Sequence, residues 1–121
     1  MSFALVIDDN RKTADTLAEM LKMLDVPVRV AYGASPAMTL LGNHTPRVVL
    51  LDINMPGVDG FEILAYLRRE PRLIPVPVVV ITSDDQPETK ERALKAGAQA
   101  FIIKPATLDS IEAALQEAGV L

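Results

Sequence analysis

The sequence predicts an α/β fold: a single doubly wound parallel sheet of five strands with helices on both faces. Three observations carry that expectation. A short apolar run followed by a stretch with helical periodicity recurs five times along the chain. Most of the runs are apolar at every position, as in strands covered on both faces of a parallel sheet. Polar and charged residues follow the runs directly, and right-handed crossovers would bring those strand ends to one edge.

The elements follow in order. Phe3-Ala4-Leu5-Val6-Ile7 is the first strand and ends in Asp8-Asp9. Asn10 is a good N-cap, and from there Ala14, Leu17, Ala18 and Leu21 recur at helical spacing, with Arg11, Lys12, Asp15, Glu19 and Lys22 on the other face. Pro27 is expected to stop this helix. Val28-Arg29-Val30-Ala31 is a weak second strand. Ser35-Pro36 reads as an N-cap with Pro at the first helical position, and Gly42 as the closing residue. After Pro46, the run Arg47-Val48-Val49-Leu50-Leu51 delivers Asp52 to the sheet edge. A turn follows at once, fixed by Pro56, Gly57 and Gly60.

Asp59 and Glu62 have the spacing of a capping box, and Phe61, Leu64, Ala65, Tyr66 and Leu67 supply the apolar side of a third helix. Pro71 to Pro77 reads as a loop. Val78-Val79-Val80-Ile81-Thr82 is β-branched throughout and forms the fourth strand. Ser83 to Pro87 is a polar turn. The helix over residues 88–96 carries many charges and few anchors, Ala93 and Leu94, and Gly97 closes it. Ala100-Phe101-Ile102-Ile103 is the last strand, ahead of Lys104-Pro105. Thr107 caps a final helix with Leu108, Ile111, Leu115 and Ala118 inward.

Composition narrows the function. The chain has 121 residues, half of them hydrophobic, which suits one domain (1–121) with a full core. It has no cysteine, so thiolate metal sites and thiol nucleophiles are excluded. A net charge of −4 argues against direct nucleic-acid binding. No apolar run reaches membrane-spanning length, and Met1-Ser2-Phe3-Ala4-Leu5 lacks the basic region of a signal peptide. The expectation is a soluble cytoplasmic protein with no membrane contact.

The strand ends then offer a constellation: Asp8 and Asp9 from the first, Asp52 from the third, Thr82 from the fourth and Lys104 from the fifth. Singly, each has an ordinary reading as a capping acid, a β-former or a solvated charge. Together, three acids and one lysine leave excess negative charge, and carboxylates about 4 Å apart repel by about 4 kcal/mol at an effective dielectric near 20. A hard divalent cation resolves that excess, and Mg²⁺ prefers such oxygen ligands, often completed by phosphate. Beside such an ion Asp52 can act as a nucleophile on phosphorus. The ion, Lys104 and Thr82 would then each meet a phosphoryl oxygen.

At this point the chain resembles the receiver domain of two-component response regulators. The resemblance rests on the Asp8-Asp9 pair, on Leu51-Asp52-Ile53-Asn54-Met55-Pro56-Gly57-Val58-Asp59-Gly60, on Thr82-Ser83 and on Phe101-Ile102-Ile103-Lys104-Pro105, in that order. It implies a flavodoxin-like three-layer sandwich with strand order 2-1-3-4-5. It implies that Asp52 is the phosphoacceptor, fed by a sensor histidine kinase or a histidine phosphotransfer protein. Asp9, Asp52 and the main-chain carbonyl of Asn54 would ligate Mg²⁺ (or Mn²⁺), with Asp8 acting partly through a metal-bound water. Lys104 would pair with the phosphoryl group, and the Lys104–Pro105 bond would be cis. Thr82 and Phe101 would form the switch, while Asn54 and Asp84 would tune dephosphorylation by water. The surface of helix 4, strand 5 and helix 5 would meet an output partner or a second copy in a homodimer. Such a chain turns over no substrate beyond its own phosphorylation and dephosphorylation.

Three other readings compete with this one. A dehalogenase-like phosphohydrolase wants a second Asp two positions after the first, where Asn54 stands. A flavodoxin-like nucleotide binder wants a phosphate loop after the first strand. A receiver-like protein-interaction module that is never phosphorylated is the alternative that the residues leave open. His44, in a polar turn, reads as a surface residue.

Overall fold

The computed structural model describes residues 2–121. Five strands, β1 (Ala4–Ile7), β2 (Val28–Ala31), β3 (Val48–Leu51), β4 (Val78–Thr82) and β5 (Ala100–Ile103), form one parallel sheet in the order 2-1-3-4-5. Five helices alternate with them: α1 (Arg11–Met23), α2 (Ala34–Asn43), α3 (Gly60–Arg69), α4 (Pro87–Lys95) and α5 (Leu108–Glu117). This is the expected doubly wound, three-layer architecture.

Alternation along the strands builds two cores. Leu5, Ile7, Val49, Leu51, Val78 and Val80 pack against α2, α3 and α4, through Leu41, Leu64, Leu67 and Ala93. Ala4, Val6, Val48, Leu50, Val79 and Ile81 pack against α1 and α5, through Leu17, Leu21, Ile111 and Leu115. The central strands are buried at every position, which is why they read as unbroken apolar runs. Register then places the chemistry. Ile7 pairs with Leu51 and Thr82 with Ile103, so Asp8 and Asp52 emerge side by side and Lys104 follows directly beside the end of β4.

Several local expectations need correction. α1 ends ahead of Pro27: Asp25 takes a left-handed conformation (φ 60°), and Val26 N donates to Leu21 O at 3.0 Å. α2 begins at Ala34 after Gly33, not after Ser35, and it runs through Gly42 to Asn43. The buried face of α3 is Gly60, Ile63, Leu64 and Leu67, whereas Ala65 is exposed and Phe61 and Tyr66 are half-buried. Asp59 caps it by accepting from Phe61 N at 2.9 Å, one position short of the box geometry. The turn after β3 contains a two-residue antiparallel ladder, Asn54–Met55 with Val58–Asp59. Leu94 is 42% exposed, which leaves Ala93 as the buried residue of α4.

The segment before β4 is no open loop. Leu73 is fully buried, and Arg68 fastens the chain there. Its guanidinium donates to Ile74 O, Val76 O, Gly97 O and Gln99 Oε1 at 2.9–3.1 Å. Gly97, at φ 106°, sits against it: a Cβ there would lie 2.8 Å from Arg68 Nε.

Candidate functional site

Each acid of the cluster is set by the strand that ends before it. Asp8 is 1% exposed after β1. Its Oδ1 accepts from Asn10 N at 3.0 Å, so the start of α1 holds the carboxylate in place. Asp52 is 6% exposed after β3, and its Oδ1 accepts from Asn54 N at 2.9 Å. Asp9 is exposed at the rim. Carboxylate oxygens of Asp8, Asp9 and Asp52 lie within 4.8 Å of one another. The loop carrying Asp52 can approach α3 this closely because residue 60 is glycine. A Cβ on Gly60 would stand 2.3 Å from Ile53 Cα and 3.0 Å from Asp52 O.

Lys104 reaches the same place from the end of β5. Its Nζ lies 2.9 Å from Asp8 Oδ2 and 3.1 Å from Asp52 Oδ2. Burial pushes the Asp52 carboxyl above its ordinary value, the more so beside Asp8, and the Asn54 amide and Lys104 only partly oppose it. Burial alone would lower the Lys104 ammonium, but its bonds to Asp8 and its attraction to Asp52 outweigh that and raise it. The lysine is therefore cationic at neutral pH, and the surrounding acids still outnumber it. Hard oxygen donors with surplus negative charge fit a hard divalent cation. The Lys104–Pro105 peptide is cis.

Thr82 is fully buried at the end of β4. Its Oγ1 accepts from Asn54 Nδ2 at 2.9 Å and from Asp84 N at 3.2 Å. Phe101 is half-buried on β5 opposite Val80 and packs on the core under α2, α3 and α4, the layer to which Val80 also belongs. The Asp84 carboxylate is engaged by the residues that open α4. It accepts from Gln86 N at 2.9 Å and from Thr89 Oγ1 at 2.7 Å, and those bonds hold its pKa below the ordinary carboxylate value. Between α3 and α4, Asn54, Asp59, Phe61, Asp84 and Arg92 line a cavity of about 330 Å³, with the Arg92 guanidinium 3.8 Å over the Phe61 ring. The structure thus brings Asp8, Asp9, Asp52 and Lys104 together, with Thr82 linked to them through Asn54. The Asn54–Thr82 and Asp84–Thr89 bonds are absent from the sequence reading: the first joins residues 28 apart, which no local pattern pairs, and the second depends on where the polar turn over 83–87 gives way to α4.

Receiver domains of response regulators match this chain over residues 4–116. The chain belongs to that family. Its relatives include a 14.6 kDa protein from the sodA1 3′ region of Leptolyngbya boryana, 34% identical over 101 residues, which are 84% of this chain and 77% of that protein. A gliding motility regulatory protein of Myxococcus xanthus is 33% identical over 100 residues, 83% of this chain, and the matched receiver spans 13% of its length. Among solved structures, a response regulator protein of Burkholderia pseudomallei superposes with a TM-score of 0.86 at 32% identity, over 98% of this chain and 69% of that one. That protein was crystallised with a phosphorylated aspartic acid, a calcium ion and citrate. Receiver domains are signalling modules that bind a divalent metal at an acidic pocket and work with histidine kinases and output domains. The acidic group of this receiver domain is the Asp8–Asp9–Asp52 cluster. No helix among the described residues is long and apolar enough to cross a membrane.

Proposed function

We propose that this receiver accepts a phosphoryl group on Asp52 from the phosphohistidine of a kinase or phosphotransfer protein. The observation that carries the reading is the Asp52 carboxylate itself: buried, destabilised as an anion, and 3.1 Å from a lysine. A carboxylate oxygen attacks phosphorus, the P–N bond breaks, and the imidazole leaves with the bond's electron pair and takes up a proton. The product is an acyl phosphate on Asp52.

Asp8, Asp9, Asp52 and the Asn54 main-chain carbonyl would hold Mg²⁺ or Mn²⁺. When bound, the ion supplies positive charge toward the phosphoryl oxygens. Lys104 orients the Asp52 carboxylate and offers a second cation to the transferred group. Thr82 offers its O–H, and moving that hydroxyl toward the transferred group strains the bond its oxygen accepts from Asn54. Phe101 fills the space that Thr82 vacates, and the surface of α4, β5 and α5 changes for an output partner or a second copy. Asn54 tunes loss of the phosphoryl group to water. Asp84, whose carboxylate is engaged by α4, acts on that step through its backbone.

Intact mass after incubation with acetyl phosphate and Mg²⁺ tests this. One phosphoryl adduct is expected on the wild type, with none on Asp52→Asn. A wild type that gives no adduct and also fails to bind beryllofluoride sinks the proposal in favour of an interaction module that never takes phosphate.

A further inference from the structure

We infer that Asp84 and Thr89 form a strap that ties the first turn of α4 to the Thr82 hydroxyl, making them positioning residues for the switch. The inference rests on the reading above only in taking Thr82 as the mobile group. The strap itself belongs to the resting protein.

The bonds form an unbroken line. Asn54 Nδ2 and Asp84 N both donate to Thr82 Oγ1, at 2.9 and 3.2 Å. The carboxylate of the same Asp84 then accepts from Gln86 N at 2.9 Å and from Thr89 Oγ1 at 2.7 Å, within the first turn of α4. The helix itself supplies only the backbone bonds of Thr89 N and Lys90 N to Gln86 O there, at 3.0 and 3.4 Å. Its N-cap, Gln86, makes no side-chain capping bond, and Pro87 brings no N–H to the first turn. Apolar packing adds little, because Ala93 is the helix's buried residue and Leu94 is largely exposed. The far end of α4 is fastened independently, by Arg68 on Gly97 O at 3.0 Å.

The consequence is mechanical. With both lone pairs of Thr82 Oγ1 occupied, the hydroxyl can move toward a phosphoryl group only by releasing Asn54 and Asp84. Releasing Asp84 N frees the backbone that aims the capping carboxylate. The N-terminal turn of α4 then loosens while its C-terminal end stays fixed by Arg68. The same two donors, Gln86 N and Thr89 Oγ1, hold the Asp84 pKa below the ordinary carboxylate value.

Amide hydrogen exchange of the metal-free full chain at Gln86, Thr89 and Lys90 tests the strap as a double-mutant cycle. Thr89→Val removes the hydroxyl and keeps the shape, and exchange at these amides should quicken about tenfold. Thr82→Val, or Thr82→Ala should the valine protein fold poorly, should quicken the same amides, although residue 82 lies outside α4. The double variant should exchange no faster than the faster single variant. Thr89→Ser and Thr82→Ser should restore the wild-type pattern. Effects that multiply in the double variant, or a Thr82 variant that leaves these amides unchanged, overturn the strap. No phosphoryl transfer enters this assay, so its failure would leave the role of Asp52 to the mass experiment.

Discussion

Asp52→Asn should stabilise the metal-free protein, although it deletes half of an ion pair. The carboxylate oxygens of Asp8, Asp9 and Asp52 lie within 4.8 Å of one another, so each pair repels by about 3.5 kcal/mol at an effective dielectric near 20. Lys104 at 3.1 Å returns about 5 kcal/mol to Asp52 on the same scale. Asp9 is exposed, and solvent screens much of its share. The Coulomb terms therefore nearly cancel, and the cost of burying the Asp52 charge remains, as its raised pKa requires. The amide keeps one acceptor oxygen for Asn54 N, while its NH₂ takes the place of Oδ2 and leaves Lys104 to Asp8, so one bond is lost and a net gain of about 1 kcal/mol follows, worth roughly 3–6 °C in a domain of this size. The assay is thermal unfolding at neutral pH with chelator and again with millimolar Mg²⁺. Binding to the folded wild type at about ten times its dissociation constant should add about 1.4 kcal/mol, and the variant should respond less. An Asp52→Asn protein no more stable than wild type in chelator, or a wild type indifferent to Mg²⁺, would refute this account of the site.

Further outcomes follow from the same geometry. The folded protein holds the Asp52 proton to higher pH than the unfolded chain, whose value is 3.8, so wild-type stability falls as pH rises from 3.8 through the folded value. The advantage of Asp52→Asn should therefore vanish in acid and be complete at neutral pH, as urea titrations at several pH values will read. Lys104→Met strands two buried carboxylates and should cost roughly 2–4 kcal/mol in metal-free urea unfolding, with part regained in Mg²⁺. Gly60→Ala presses a methyl group onto Ile53 Cα and should cost about 3 kcal/mol or more, visible as a lowered urea midpoint. Leu73→Ala should cost about 3 kcal/mol on the same measurement, because the side chain is fully buried under a nominal loop.

What the sequence made legible is what short-range chemistry decides. The unbroken apolar runs of β1, β3 and β4 disclosed strands covered on both faces, and the inward residues of α1 matched residue for residue. Once the strands were parallel, their ends had to share an edge, so Asp8, Asp52 and Lys104 could be placed together without coordinates. The errors sit where two signals compete or where the deciding partner is distant. Pro27 masked a stop made by the left-handed Asp25, and Pro36 suggested a helix start two residues late. Gly60 read as turn chemistry, but it is required by the backbone of Ile53 pressing on α3. Arg68 carried no signal, since its acceptors at residues 74, 76, 97 and 99 meet only in the fold.

These contrasts divide the molecule by the kind of force that holds it. The acids stand on strand ends whose neighbours are fully buried, so displacing Asp8 or Asp52 means disturbing a close-packed core. α4 is held the other way, by hydrogen bonds at its two ends, an arginine on a phenylalanine ring and one buried alanine. Apolar packing yields gradually and resists in proportion to area, whereas a hydrogen bond is lost over a fraction of an ångström. The proposed switch, a rigid site beside one surface that changes, calls for this separation. The two regimes meet at Thr82, whose side chain is buried with the core while its oxygen belongs to the line of bonds leading out to α4.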